Sequence, residues 1–252
     1  MRVVGAREAE RLRCATWREH NPASDSGRAF IVARSRFAED ELRRSLDRGV
    51  AQYVVLGAGL DTFAYRNPYG SALRAFEVDH PATQEWKRAR LAEAGIDVPP
   101  TLSYAPTDFE HQSLAEGLDR AGFSWETPTF FSWLGVTMDL TLPAFEATLS
   151  FIARTPSGGG VAFDYMLPLD SLPLFEKIVL SVMALRVTRA GEPFRSRFEP
   201  HQMRGHLERL GFHDITDLDK WQVNARYFAG RRDQLRRFPL ELTVARFGSH
   251  FG

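Results

Sequence analysis

Between Ala51 and Phe163 short apolar runs alternate with segments of helical periodicity, and that alternation limits the possible folds more than any other feature of the chain. The runs are Ala51–Leu56, stopped by Gly57-Ala58-Gly59; Leu73–Val78, ending at Asp79; Leu102–Thr107, followed by Asp108; Pro128–Val136; and Val161-Ala162-Phe163, entered through Ser157-Gly158-Gly159-Gly160. The first, apolar but for Gln52 and carrying β-branched and aromatic residues, has the pattern of a buried parallel strand, and the others read as strands in the same series. The helical segments carry their own punctuation. Ala38, Leu42 and Leu46 recur one turn apart before Gly49, Pro81 opens a helix that runs through Trp86 to Ala94 before Gly95, and a third runs from Gln112 to Ala121 before Gly122. Pro143 opens a fourth, in which Phe145, Leu149 and Ile152 fall at i, i+4 and i+7. Repeated strand-to-helix crossovers predict an α/β fold, a doubly wound, mostly parallel sheet with helices on both faces.

After Pro168 the rhythm changes, because Phe175, Ile178, Val179 and Val182 mark an amphipathic helix with no strand directly after it. Residues 167–200 are therefore expected to form a small helical lid over the carboxyl edge of the sheet. The tail returns to the pattern with a helix through Met203, Leu207 and Leu210, a strand near Phe212–Leu218 and a last strand near Leu240–Phe247. Without repeat or low-complexity linker, residues 1–252 read as a single domain. Lysine plus arginine and aspartate plus glutamate both number 32, so no strong field draws the chain to nucleic acid or to an anionic membrane, and a small-molecule partner is expected. The charged N-terminal stretch lacks the apolar region of a signal peptide, no segment is apolar enough to span a bilayer, and the single Cys14 excludes an internal disulfide and a cysteine zinc cage. A cytosolic protein is expected.

Gly57-Ala58-Gly59 directly after the first strand is a place where backbone can approach a ligand closely. Asp79, twenty residues past Gly59 at the end of the second strand, can accept hydrogen bonds from the two hydroxyls of a ribose. Together they point to a nucleoside cofactor; the competing reading is a tight strand-to-helix turn. Nicotinamide enzymes use the same two features, but the third glycine of their fingerprint would fall at Thr62, where a β-branched residue obstructs helix-strand packing. Asp61 would also face a pyrophosphate, anion against anion, whereas a sulfonium with an amino-acid tail meets no such conflict.

The run Arg34-x-x-x-Phe37-x-x-Asp40, then Val54-Val55-Leu56-Gly57-Ala58-Gly59-Leu60-Asp61-Thr62, then Phe76-Glu77-Val78-Asp79-His80-Pro81, resembles the leucine carboxyl methyltransferase family, including its bacterial small-molecule members. The resemblance is good over roughly residues 25–170 and loose beyond. It implies an S-adenosylmethionine-dependent O-methyltransferase, with strand order 3-2-1-4-5-7-6 and the last strand antiparallel. It would put Arg34 on the cofactor carboxylate, Gly57, Ala58 and Gly59 along the methionine portion, Asp79 with the neighbouring His80 at the ribose, and Asp108 with Phe109 at the adenine. These residue types suit those partners: a guanidinium fork matches a carboxylate, and carboxylates accept from hydroxyl and amine donors. Arg36 rivals Arg34, and a helix N-cap is the other use for Asp108.

At the fourth strand the chain leaves the family pattern, which shows Glu-Gly-Val followed by Tyr-Leu; here the segment reads Leu134-Gly135-Val136-Thr137-Met138-Asp139-Leu140. Leu134 thus stands at a cofactor-lining position without its carboxylate. No histidine offers itself as a general base, which favours an acceptor already ionised at neutral pH, a carboxylate or acidic hydroxyl. Asp164 and Tyr165, at the end of the fifth strand, and Asp139 are the candidates for contact with the acceptor. No catalytic residue and no metal ligand is assigned. A cofactor-binding protein with lost or altered activity stays open as the alternative, ahead of a nicotinamide oxidoreductase.

Overall fold

The computed structural model describes residues 22–108, 111–174, 177–178, 181, 194–230 and 240–248. Its first element is helix α1, Pro22–Leu46, followed at Gly49 by a left-handed turn with φ +96° and then by strand β1, Gln52–Leu56. Strand β2 (Arg74–Asp79), helix α2 (Pro81–Glu93), strand β3 (Leu102–Pro106), helix α3 (Leu114–Arg120), strand β4 (Thr129–Trp133), helix α4 (Leu142–Ala153) and strand β5 (Gly159–Met166) complete the alternating part. Helix α5 (Pro200–Arg209), strand β6 (His213–Leu218), helix α6 (Lys220–Tyr227) and strand β7 (Leu240–Phe247) follow.

The seven strands form one sheet in the order β3-β2-β1-β4-β5-β7-β6, as expected. The first five pair in parallel, and β7 runs antiparallel to both β5 and β6. Successive side chains of one strand divide between two cores, as period-two geometry demands. Tyr53, Val55, Phe130, Ala162 and Val244 meet Phe30, Ala33, Phe37 and Leu42 of α1 on one face. Val54, Leu56, Phe131, Trp133, Val161 and Phe163 meet Leu118, Phe145, Leu149, Met203 and Leu207 of α3, α4 and α5 on the other. Two packed faces explain why β1 and β4 are buried at every position.

Four boundaries differ from the sequence reading, each for a physical reason. The connection from β1 to β2 is made of two 3-10 turns, Phe63–Arg66 and Gly70–Ala72, with no α-helix between them. Strand β4 ends at Trp133, because Val136 begins a 3-10 turn over Thr137–Asp139. Strand β5 starts two residues before Val161 and runs on through Asp164 and Tyr165 to Met166; Gly159 belongs to it because a side chain there would meet the Thr129 carbonyl oxygen at 1.8 Å. Helix α6 was not expected from the sequence; Asp219 caps it, accepting from the Trp221 and Gln222 amides. Of the expected lid, the described pieces are a 3-10 turn at Leu169–Ser171 and the stretch from Phe194, whose Arg195 and Ser196 amides donate to the Met138 carbonyl. Phe175, Val179 and Val182 lie outside the described residues. Among the described residues no helix is long and apolar enough to cross a membrane.

Candidate functional site

The carboxyl ends of β1, β2 and β3 lie side by side, and their exits are tied together by backbone and carboxylate. The Gly57 and Ala58 amides donate to the Val78 carbonyl at 2.9 and 3.2 Å, and the Thr107 amide donates to the Asp79 carbonyl at 2.9 Å. The Asp79 carboxylate accepts from the Gly59 amide through Oδ2 at 2.6 Å and from the His80 amide through Oδ1 at 2.7 Å. Gly57 and Gly59 both occupy the left-handed region, at φ +66° and +45°, so the loop reverses immediately after the strand. A side chain at Gly57 would also meet Val136 Cγ2 at 2.4 Å; glycine is needed there for packing against the exit of β4 as much as for conformation.

Two of the remaining sequence candidates sit at this edge with local duties of their own. His80 is the N-cap of α2, its Nδ1 accepting from the Ala82 amide at 3.2 Å, which leaves the ring proton on Nε2. Asp108 follows β3 and pairs through Oδ2 with His111 Nδ1 at 2.9 Å, with its side chain 29% exposed. It does not cap α3, a task that Ser113 and Glu116 perform as a reciprocal capping box. Phe109 lies outside the described residues.

Across β1 the chain brings together residues that are far apart in sequence. Arg34 of α1 donates from Nη1 to Asp164 Oδ2 of β5 at 2.9 Å, and the Gly135 amide donates to Asp164 Oδ1 at 2.6 Å. Asp164 is fully buried, and burial holds its carboxyl above the ordinary carboxylate range, against the pull of Arg34 and of the Gly135 amide. Gly135 has φ +73°, and a Cβ on it would lie 2.6 to 2.9 Å from three atoms of the Arg34 guanidinium. The guanidinium therefore lies against the bare glycine. Arg36, the rival to Arg34, points elsewhere, pairing with Asp40 on the helix surface at 3.0 Å. Leu134 packs at the margin of the α1 core, and Asp139 closes the 3-10 turn beyond β4.

Tyr165 is one residue from Asp164 and hence on the opposite face, enclosed by Phe163 and Phe198 in the second core. The sequence grouped Asp164 and Tyr165 as a strand-end pair; the strand continues past both, and period-two geometry separates them.

Residues 3–153 match the family model of leucine carboxyl methyltransferase, 151 of the 252 residues. The chain belongs to that family. The provisionally named S-adenosyl-L-methionine-dependent methyltransferase YktD of Bacillus subtilis is 34% identical over 212 residues, covering 82% of this chain and 68% of the relative. A like-named protein of Parafrankia is 34% identical over 131 residues, and there the chain spans only 42% of the relative's length. Among solved structures, a DUF574 family protein from Streptomyces avermitilis superposes with a TM-score of 0.59 at 14% identity, covering 86% of this chain and 84% of the other. Human N-acetylserotonin methyltransferase in complex with SAM gives 0.50 at 16% identity, covering 79% and 48%. These likenesses show the methyltransferase fold.

Three features of this family member escaped the sequence reading. Asp164 lies beyond the matched segment, and its link to Arg34 spans 130 positions. Gly135 and Val136 were visible only as the residues that follow the departure from the family motif at Leu134, without any sign of the groups they touch. Behind the glycine loop, Lys87 is 3% exposed and donates from Nζ to the Asp61 carbonyl and to Glu77 Oε2, both at 2.7 Å. A lysine and a glutamate ten positions apart on different elements show no pattern of their own.

Proposed function

We propose that this S-adenosylmethionine-dependent methyltransferase methylates an oxygen of a small molecule, a carboxylate or an acidic hydroxyl, to give an ester or ether, within bacterial secondary metabolism in the cytosol. The observation that carries the cofactor half of the reading is the Gly59 amide on Asp79 Oδ2 at 2.6 Å, which couples a left-handed glycine loop to a strand-end carboxylate. The donor set fits such a cofactor: a guanidinium on the 21% exposed side chain of Arg34, a loop without side chains at Gly57 and Gly59, and part-exposed carboxylates at Asp79 and Asp108. In this reading Arg34 takes the amino-acid carboxylate, the loop with Ala58 and the packed Leu134 lines the methionine portion, Asp79 beside His80 accepts from the ribose, and Asp108 accepts from the adenine amine.

S-adenosylmethionine, when bound, supplies an electrophilic methyl group. What the chain adds is orientation and exclusion of water, for which a nucleophile held near ~3 Å is sufficient if it is already ionised. A carboxylate is ionised at pH 7 and needs no base. Two facts support that choice of acceptor: the family is one of carboxyl methyltransferases, and the two described histidines at this edge, His80 and His111, are engaged with the α2 cap and with Asp108. The net charge of zero favours a small acceptor over nucleic acid or membrane.

Calorimetry with S-adenosylhomocysteine and NAD tests the cofactor, with micromolar-range binding expected for the first and none comparable for the second. Incubation with isotopically labelled methyl donor and a panel of acids, phenols and amines then tests the acceptor. Tighter binding of NAD removes the reading, and label on nitrogen, RNA or DNA removes its oxygen half. Cofactor binding with no transfer to any acceptor would favour the non-catalytic alternative that Leu134 suggests.

A further inference from the structure

A fully buried aspartate within a sheet is costly unless its charge is met by well-placed donors, and truncating either side of such a pair leaves an uncompensated charge. Asp164 is at 0% exposure, and its two carboxylate oxygens are divided between two different parts of the chain: Oδ2 receives Arg34 Nη1 at 2.9 Å and Oδ1 receives the Gly135 amide at 2.6 Å. A pure structural tie between α1 and β5 would be served by a buried pair. Here the Arg34 side chain stays 21% exposed, and among the described residues Asp164 is the acceptor on its guanidinium. One of its five N–H groups is thus committed to the protein, and the flat face rests on Gly135, where any Cβ would collide with it. The arrangement is that of a cation on a part-exposed side chain, tied to Asp164 and seated against Gly135.

We propose that Asp164 is a positioning residue for an anionic ligand: it fixes the Arg34 guanidinium against Gly135 so that the free edge of the fork reads the carboxylate of the methyl donor's amino-acid tail. The inference rests on the reading that Arg34 meets that carboxylate. It assigns to β5 a carboxylate beside the loop that follows β4 and carries Leu134, since Asp164 accepts from the amide of Gly135, the residue after Leu134. Asp164 touches no part of the donor itself in this scheme; it acts through Arg34.

Two ligands separate this role from a structural one. S-adenosylhomocysteine carries the amino-acid tail and 5′-methylthioadenosine lacks it, so binding of both is measured by calorimetry on the wild-type chain, Asp164→Asn, Arg34→Gln and the double variant. Asp164→Asn should weaken S-adenosylhomocysteine by about tenfold, the loss of a well-aimed charge-assisted contact, while methylthioadenosine changes by less than about twofold. In the Arg34→Gln background the Asp164 substitution should have no further effect on either ligand. Should Asp164→Asn fail to fold, Gly135→Ala serves in its place, because it leaves the aspartate intact and pushes the guanidinium off its seat; the same selective loss is expected. Equal weakening of both ligands, or an Asp164 effect undiminished without Arg34, overturns the positioning role while leaving the cofactor reading intact. A wild-type chain that binds neither ligand overturns both.

Discussion

The buried Lys87–Glu77 pair beneath the glycine loop makes the stability of this chain depend on pH in a way that one substitution can isolate. Glu77 lies in the middle of β2 at 1% exposure, and burial pushes its carboxyl from an ordinary value of 4.5 up to about 7 in spite of Lys87 at 2.7 Å. Between those two values the folded chain keeps a proton that the unfolded chain has released. The stability contributed by this group is therefore fully present below about pH 4.5 and is lost as the pH rises through about 7. A span of roughly 2.5 pH units, at about 1.4 kcal/mol per unit, amounts to about 3 kcal/mol. Glu77→Gln imitates the protonated acid and removes the titration. At pH 5 the variant and the wild-type chain should be of similar stability, and by pH 8 the balance should have moved toward the variant by about 3 kcal/mol, or roughly 6 to 12 °C in melting temperature for a chain of this size.

Urea denaturation of both proteins at fixed ionic strength, from pH 5 to pH 8, measures the difference directly. Parallel stability profiles would refute the argument, since they would mean that Glu77 titrates alike in both states. Lys87→Met offers the converse. Without the cation the carboxyl moves higher still, so stability should go on falling above pH 7, with a loss of about 3–5 kcal/mol at pH 8 from an unpaired buried charge. Adding Glu77→Gln to Lys87→Met should recover most of that loss.

Other outcomes follow from the geometry of the glycine loop and the strand ends. Gly57→Ala should cost about 1–2 kcal/mol for its left-handed backbone and a further 1–3 kcal/mol for displacing Val136, whereas Gly59→Ala, whose nearest neighbour is 4.0 Å away, should cost only the first amount; equal urea midpoints for the two would refute the packing role. Asp79→Ala should reduce S-adenosylhomocysteine affinity about a hundredfold, two charge-assisted hydrogen bonds being worth about 3 kcal/mol, and an unchanged dissociation constant by calorimetry would leave Asp79 as a tie for the Gly59 and His80 amides. With a carboxylate acceptor in hand, the rate of methyl transfer should be flat from about pH 6 to 9; a rate that climbs through that window would point to a base, with Asp139 the first residue to substitute.

Legibility in this sequence follows from whether a residue's reason is local. The strands could be read because both their faces are packed, which turns Tyr53–Leu56 into an unbroken apolar run and leaves Phe130–Trp133 broken only by Ser132. Gly159 and Gly160 read as a turn because glycine is the common turn residue, yet they lie in β5 for want of room beside Thr129 and Phe130, a neighbour relation that only the strand order creates. Helix α6 escaped notice because Val223 is the one apolar side chain it fully buries, too little for a period to show. The same division runs through the site. Gly57, Gly59 and Asp79 belong to two successive strand ends, so the spacing between them carries the information. Arg34, Gly135 and Asp164 come from a helix, a loop and a strand that meet because β4 lies between β1 and β5, and nothing in the local composition of the three segments announces the meeting. Their chemistry does leave one trace. An aspartate inside a strand otherwise built of glycine, alanine, valine, aromatic residues and methionine is a conflict between local preference and buried position. A chain retains such a conflict where its fold supplies the partner, and here the partner is the guanidinium of the part-exposed Arg34.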